Sequence, residues 1–413
     1  MQHKLMYEGG VIVYKFEDRI IEYLKKHSLP VFIGAITLLA MWVRFRARGF
    51  VSADMAGYLL PWYDEIKQGG LSSLGTQVGN YNILYQTLIA LMTYVNVKPL
   101  YLYKGFSILF DFLLAAATAL CVSKTGGARS GLQAAIAYAL VLFLPTVVLN
   151  SAFWGQCDGI YTFFVLACLY MLLCEREKAA YVFLGIAVAF KLQAILILPF
   201  LLIYYVVEKR HSILNLLISV AVFYVFCLLG VIARHSIWEP FRLYMNQGEA
   251  WAELYKNFPS FLVFFGNSWE AYTAISGVMS AVIAAALGME LLYVLHSRIA
   301  LYRTKYFFPV AAWTVWTCVI LLPMMHERYA YLLDILLIVS VMSYRRYLWA
   351  AVPAFLCGVV TYSCYLFHVD YDLSALSVVY TAAWVVFHYL IVQQIRTGRG
   401  SEDYEKVSGK PIG

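Results

Sequence analysis

Ionisable side chains occur in four short motifs that separate long apolar runs of the chain. They are Asp54 in "SADMA", Asp158 in "WGQCDG", Lys191 in "FKLQA", and His326, Glu327 and Arg328 in "MMHERY". Carboxylates can accept a proton from a nucleophile, whereas Lys, Arg and His can stabilise an anion. Placing charges at the edge of hydrocarbon costs free energy, so we expect such residues to have charged or polar partners or a function. Together, these residue types would serve a reaction that combines a general base with a phosphate-binding site.

The composition indicates that lipid is the solvent for most of this chain. Its 413 residues are 62% hydrophobic and 13% charged, with a mean hydropathy of +0.71. A soluble protein of this size could not bury so much apolar surface. The apolar runs lack two-residue alternation, so we expect an all-α polytopic membrane protein. The net charge of +7 is scattered over short loops, and no nucleic-acid partner is therefore expected.

The eight Cys residues show neither a CxxC pair nor the spacing of a zinc site, and we interpret them as free packing residues. The polar N-terminus shows no pattern of a cleavable signal peptide.

The apolar runs predict twelve membrane spans. They cover residues 30–46, 100–122, 131–150, 160–174, 179–190, 194–207, 212–234, 269–295, 306–325, 329–343, 347–366 and 375–394. A further run, 82–97, is predicted to form an interfacial or re-entrant helix in the first external loop. With that assignment most of the Lys and Arg residues, and both termini, lie in the cytosol.

The expected domain organisation follows from these spans. A cytosolic amphipathic segment, 1–28, precedes one transmembrane domain, 29–395, and a cytosolic tail, 396–413, follows it. The long external loops are 47–99 and 235–268. The two short spans around "KLQ" predict a thin hairpin, with Lys191 at the bottom of a cavity.

This topology places all four motifs on the external side, although each also has a structural interpretation. Asp54 and Asp158 could be helix N-caps, and Lys191 could extend to lipid headgroups. His326 could cap the helix that follows it, while Glu327 and Arg328 could pair with each other. Their placement at one membrane face instead favours a shared cavity in which sugar is transferred from a polyprenyl phosphate.

Three longer motifs carry a family resemblance. "WGQCDGIYTFFVLACLYML", "GIAVAFKLQAILILPFLL" and "MMHERYAYLLDILLIV" occur in this order, and "SADMAGYLLPWYDEI" precedes them. They resemble the bacterial relatives of the PIG-V-type mannosyltransferases, a branch of the GT-C superfamily of membrane glycosyltransferases. The resemblance covers roughly residues 30 to 395. It implies a GT-C-type helical bundle with interfacial helices in the first external loop.

The resemblance also implies roles for individual residues. Asp54 would be the catalytic base, and Lys191, His326 and Arg328 would bind the donor phosphate. Further substrate contacts are predicted for Gln156, Asp158, Gln193, Glu327 and Tyr329.

The expected function is inverting transfer of a hexose, mannose being favoured, from a polyprenyl-phosphate-sugar to a glycan or lipid-linked acceptor. The expected location is the external face of a bacterial plasma membrane. No cofactor is expected to be required, and a divalent metal is compatible with the chemistry without being indicated. A transporter or flippase of lipid-linked sugars, or a polymerase, is the alternative.

Overall fold

The computed structural model describes residues 4–6, 12–126, 130–250 and 253–408. The described chain is predominantly helical, as predicted. Its helices are α1 (Lys15–Lys26), α2 (Ser28–Ala47), α3 (Leu60–Gly69), α4 (Ile83–Met92), α5 (Pro99–Thr125), α6 (Ser130–Phe143), α7 (Pro145–Val148), α8 (Asp158–Leu173), α9 (Glu177–Phe190), α10 (Leu198–Glu208), α11 (Leu216–Ala233), α12 (Glu239–Ala250), α13 (Trp269–Ser297), α14 (Phe307–Leu321), α15 (Tyr331–Ser343), α16 (Leu348–Phe367) and α17 (Leu373–Ser408).

Short non-α turns connect several of these helices. Residues Met55–Leu59 and Leu149–Trp154 form π-helical turns, and 3₁₀ turns cover Gly70–Gly75, Leu192–Ile197, Ile213–Asn215, Phe261–Phe265 and Arg345–Tyr347. The strands form two small sheets. β1 (Lys4–Met6) pairs antiparallel with β2 (Ile12–Tyr14), and β3 (Tyr255–Lys256) pairs parallel with β4 (Met325–His326).

Length and composition identify the chain as a multi-pass membrane protein. Among the described residues, six helices are long and apolar enough to cross a bilayer, namely α2, α5, the helix that ends with α11, α13, the helix that contains α16, and α17. The bent pair formed by α6 and residues 145–154 makes a seventh candidate. Several other apolar helices are shorter, among them α4, α8, α14 and α15.

Two predicted spans are interrupted in the structure, each at a proline. The run 131–150 bends by 50° between Phe143 and Pro145, since Pro lacks the N–H that would continue the helix. The run 306–325 leaves the helix at Leu322, which adopts an extended conformation before Pro323. The second break matters for the site, because it releases the following residues from α14.

The run 82–97 forms a helix over ten residues only, Ile83–Met92. At 1.5 Å per residue this helix is about 15 Å long, which is too short to cross a bilayer.

The most buried helix is α14, in which all fifteen residues are buried. By contrast, α2, α11 and α13 leave most of their side chains exposed, including Leu38, Leu217 and Met289. An exposed apolar surface on long helices is what contact with lipid requires. The bundle therefore packs around α14, with these three helices at its periphery.

Ionisable residues inside the helices have partners on neighbouring helices. Arg44 of α2 is 1% exposed, and its Nε donates to Asp111 Oδ2 of α5 at 2.7 Å. The Nη1 of Arg44 also donates to the Leu142 carbonyl of α6 at 3.1 Å. One guanidinium thus ties three helices together, as expected for a charge within a membrane span.

Two further buried acids, Asp334 and Glu290, accept hydrogen bonds from threonines. Thr146 Oγ1 donates to Asp334 Oδ2 at 2.8 Å, and Thr317 donates to Glu290. Neither contact was evident from the sequence.

Candidate active site

A cavity of about 570 Å³ opens where several helices begin or end. Almost every residue that we predicted as a site residue lines this cavity, namely Asp54, Gln156, Lys191, Gln193, His326, Glu327, Arg328 and Tyr329. The remaining one, Asp158, is fully buried and forms an ion pair with Lys191. Residues that are far apart in the chain are thus brought to one place.

Asp54 is held by three hydrogen-bond donors. Trp154 Nε1 and Gln156 Nε2 donate to Asp54 Oδ2 at 2.8 and 2.9 Å. The Tyr365 hydroxyl donates to Asp54 Oδ1. A carboxylate has about four lone-pair sites, so these donors fix its orientation and leave one site for a substrate hydroxyl.

Ser52, rather than Asp54, caps the turn that starts at Met55. Asp54 occupies the N-cap position without a capping hydrogen bond, whereas the Met55 N–H donates to Ser52 Oγ at 3.1 Å. Ser52 Oγ in turn donates to the Trp154 carbonyl at 3.1 Å. This link places the first external loop against the "WGQ" segment and leaves the Asp54 carboxylate free for the cavity.

Gly155 allows this close approach. Its φ of +77° is in the left-handed region, and a Cβ there would lie 2.4 Å from the Met55 Cε. The glycine of the "WGQ" segment therefore has a structural role in positioning Gln156.

Behind the cavity, Asp158 joins the two cations that we predicted for the donor phosphate. Lys191 donates to Asp158 Oδ1, and Asn150 Nδ2 donates to Asp158 Oδ2 at 2.9 Å. Arg328 Nε lies 3.6 Å from the same Oδ2, and Arg328 Nη1 lies 4.0 Å from Asp54 Oδ2. Arg328 is therefore situated between the two carboxylates.

The structural interpretations that the sequence allowed for Lys191 and Asp158 do not hold. Lys191 is 6% exposed and ion-paired, so it does not extend to headgroups. Asp158 is the first residue of α8, follows the N-cap residue Cys157, and uses its carboxylate on side chains. Its negative charge there is favoured by the helix dipole.

The segment that follows α14 is held by the segment between α12 and α13. β4 pairs with β3, so that Lys256 lies opposite His326, and the Glu327 N–H donates to the Lys256 carbonyl at 3.1 Å. Lys256 and Asn257 line the cavity as well. Helix α15 begins only at Tyr331 with Ala330 as its N-cap residue, so His326 does not cap it.

The charge state of the "HER" residues follows from their surroundings. Burial, together with the nearby cations Arg328, Lys256 and Lys191, lowers the pKa of His326 far below its ordinary range. Burial raises the pKa of Glu327 to about 7, against the opposing effect of Arg328. His326 is thus a neutral imidazole, which can donate one N–H to a phosphate oxygen but supplies no charge.

Gln193 and Tyr329 complete the set of predicted residues. Both line the cavity, and the Tyr329 ring lies 4.8 Å from the His326 ring.

Several residues of the site were not found from the sequence, among them Lys256, Tyr365 and Trp154. Lys256 lies in a loop that we identified only as long and external, and Tyr365 lies at the end of α16, 311 positions from Asp54. Trp154 belongs to the "WGQCDG" motif, whose other residues we had selected for their polar groups. Its indole N–H was the signal that could have identified it.

Within the described ranges, no group of three or more His, Cys, Asp or Glu residues is arranged to hold a metal ion. The positive charges at the site are Lys191, Arg328 and Lys256, and they face the carboxylates Asp54 and Asp158.

Comparison with known proteins finds no matching family model, no similar curated protein and no similar solved structure. The resemblance to GT-C glycosyltransferases therefore remains a prediction.

Proposed function

We propose that this protein is an integral membrane glycosyltransferase that moves a hexose from a polyprenyl-phosphate-sugar to an acceptor hydroxyl. The observation that carries the proposal is the composition of the cavity. An oriented carboxylate, Asp54, and the cations Lys191, Lys256 and Arg328 meet in one cavity of a membrane protein. General-base catalysis and stabilisation of an anionic leaving group need these two components side by side.

In the proposed reaction Asp54 accepts the proton of the acceptor hydroxyl, and the oxygen attacks the anomeric carbon. The bond between that carbon and the phosphate oxygen breaks, and its electron pair stays with the departing polyprenyl phosphate. Attack from the side opposite the leaving group inverts the configuration. The leaving group gains negative charge, and Arg328 offers it a planar pair of donors.

The charge balance supports a singly charged donor. With Glu327 protonated, the three cations exceed Asp54 and Asp158 by one charge, which matches one phosphodiester. Lys191 is paired with Asp158, and Arg328 lies near both carboxylates.

We place the cavity on the external face by a twelve-span topology. The twelve spans are the six long helices, the bent pair and the shorter helices α8, α9, α10, α14 and α15. Helix α4 lies in the interface. Both termini are then cytosolic, and every segment that lines the cavity is external. Tyr365, at the end of the span 347–366, falls on the same side as Asp54.

The experiment is sugar transfer by purified protein in nanodiscs. Radiolabelled polyprenyl-phosphate-mannose is supplied with membrane extract as the acceptor source, and other polyprenyl-phosphate hexoses are tested in parallel. We expect Asp54→Asn to bind the donor normally and to lose about 10²–10⁴-fold in rate, the typical contribution of a positioned base.

The matched control is Asp64→Asn, which changes an exposed acid of α3 that does not line the cavity. Its transfer rate should equal that of the wild type. Transfer by Asp54→Asn within threefold of wild type would show that Asp54 is not the base. The absence of wild-type transfer from every donor would contradict the proposed function.

A further inference from the structure

The helical segment that follows Asp54 presents aromatic side chains to the cavity. Tyr58 and Trp62 follow Asp54 at intervals of four residues, which places all three along one face of the segment. All three line the cavity. The segment begins with the π-helical turn Met55–Leu59 and continues into α3, so Trp62 lies farther from the base along the helix axis than Tyr58 does.

These rings are held in place before any ligand binds. The Tyr58 and Tyr81 rings lie 5.8 and 5.9 Å from the Trp62 ring. Gly79 packs directly on the indole, because a Cβ at Gly79, whose φ is +76°, would lie 2.6 Å from the Trp62 Cδ2. We call Tyr58, Trp62 and Tyr81 the aromatic shelf.

The loop beneath the aromatic shelf is also fixed. Gln77 Nε2 donates to the Gly79 and Tyr81 carbonyls, both at 2.9 Å. A rigid aromatic surface loses little conformational entropy when a ligand binds.

Hydrogen bonds connect the aromatic shelf with the base. The Tyr81 hydroxyl donates to Gln156 Oε1 at 2.5 Å, and Gln156 Nε2 donates to Asp54 Oδ2. A ligand on the shelf therefore lies next to the carboxylate that would accept its proton.

The chemistry of the aromatic shelf differs from that of the phosphate site. The cavity residues from Tyr58 to Asn82 carry no acidic or basic group, and their polar atoms are amides and phenols. An anionic phosphate would meet hydrogen-bond donors there but no cation. A sugar ring is the better match, because its C–H face can pack on an aromatic ring while its hydroxyls bond to amides and phenols.

We propose that the aromatic shelf is the acceptor subsite, and that the acceptor is a saccharide of at least two sugar units. One sugar packs at Tyr58 beside the base, and the next packs at Trp62. The inference rests on the proposed function, since it assigns the acceptor side of the same cavity. The saccharide can belong to a soluble glycan or to the headgroup of a glycolipid.

The test measures saccharide binding and donor-lipid binding separately on protein in nanodiscs. Saturation-transfer-difference NMR uses mannobiose, maltose and galactobiose, each compared with its methyl monosaccharide. Donor binding is measured with a polyprenyl monophosphate. The variants are Tyr58→Ala, Trp62→Ala and Trp62→Phe. The control is Trp42→Ala, which removes a tryptophan of α2 that is 60% exposed and does not line the cavity.

We expect wild type and Trp42→Ala to bind at least one disaccharide more tightly than its monosaccharide. Tyr58→Ala and Trp62→Ala should bind it about tenfold more weakly, and Trp62→Phe should restore part of the binding. Affinity for the polyprenyl monophosphate should stay within twofold in all variants. A second arm presents the same disaccharide on a lipid anchor, and a preference for one form identifies the source of the acceptor.

Three results would overturn the inference. The first is wild-type binding no stronger than that of empty nanodiscs in both arms. The second is equal binding by wild type and Trp62→Ala, and the third is a joint loss of saccharide and polyprenyl phosphate binding in both alanine variants. Saccharide binding without any affinity of wild type for the polyprenyl phosphate would contradict the proposed donor but leave the aromatic shelf in place.

Discussion

Replacing Asp158 with Asn removes the partner of a buried lysine. The Lys191 side chain is 7% exposed and that of Asp158 is 0% exposed, so little water is available to solvate the remaining ammonium group. Removing one partner of a buried ion pair typically costs about 3–5 kcal/mol. We expect Asp158→Asn to lower the free energy of unfolding by that amount, because the Asn side chain can accept a hydrogen bond but carries no charge.

The double variant Lys191→Met with Asp158→Asn should be more stable than Asp158→Asn alone. Replacing both members of a buried pair by neutral groups is often close to neutral, so we expect a loss of about 1–2 kcal/mol. The assay is equilibrium unfolding in mixed detergent micelles, read as a double-mutant cycle. The control cycle uses the exposed pair Arg210–Glu175, whose coupling should be much weaker because water solvates both side chains.

The reasoning would be refuted if the double variant lost as much free energy of unfolding as the two single variants lose together. Function is read on the same proteins. If Lys191 binds the donor phosphate, the double variant should fold and yet bind polyprenyl phosphate at least tenfold more weakly than wild type. Binding within threefold of wild type would show that Lys191 contributes to stability alone.

Three further predictions concern the base, the pH dependence and the topology. Tyr365→Phe removes one donor to Asp54 and should lower kcat about tenfold, with the donor KM unchanged and a shifted pH profile; an unchanged kcat and profile would exclude a positioning role. Glu327 has a pKa raised to about 7, so it is neutral below pH 7 and adds a negative charge above it. Affinity for polyprenyl phosphate should therefore fall as the pH rises through 7, and Glu327→Gln should abolish this decline. An equal pH profile in both proteins would contradict the prediction. Cysteines introduced at the exposed positions Lys178 and Phe265 should react with impermeant reagents from opposite sides of the membrane, and labelling from the same side would contradict the twelve-span topology.

The sequence was sufficient to predict a helical membrane protein and the residues that meet in the cavity. Polar residues between apolar runs are rare and costly, so each was a strong signal. The ends of successive spans alternate between membrane faces, which placed Asp54, Lys191 and Arg328 together. Their catalytic roles remain predictions.

The contacts between these residues could not be predicted in the same way. The Tyr365–Asp54 hydrogen bond and the pairing of Lys256 with His326 depend on how distant helices pack, and local patterns carry no signal for that. The sequence offered Asp54 as a possible N-cap, but Ser52 supplies the capping hydrogen bond, and both are favoured N-cap residues. Only the backbone conformation distinguishes them.

The bond between Arg44, Asp111 and the Leu142 carbonyl has a consequence for biosynthesis. Helix α2 leaves the ribosome long before its partners, so Arg44 lacks both while α2 enters the membrane. An unpaired arginine near hydrocarbon is costly, even in a helix as long and apolar as α2. The pairing of Arg44 must wait for α5 and α6, and a nascent chain truncated before Asp111 would expose an uncompensated charge to insertion chaperones and membrane proteases.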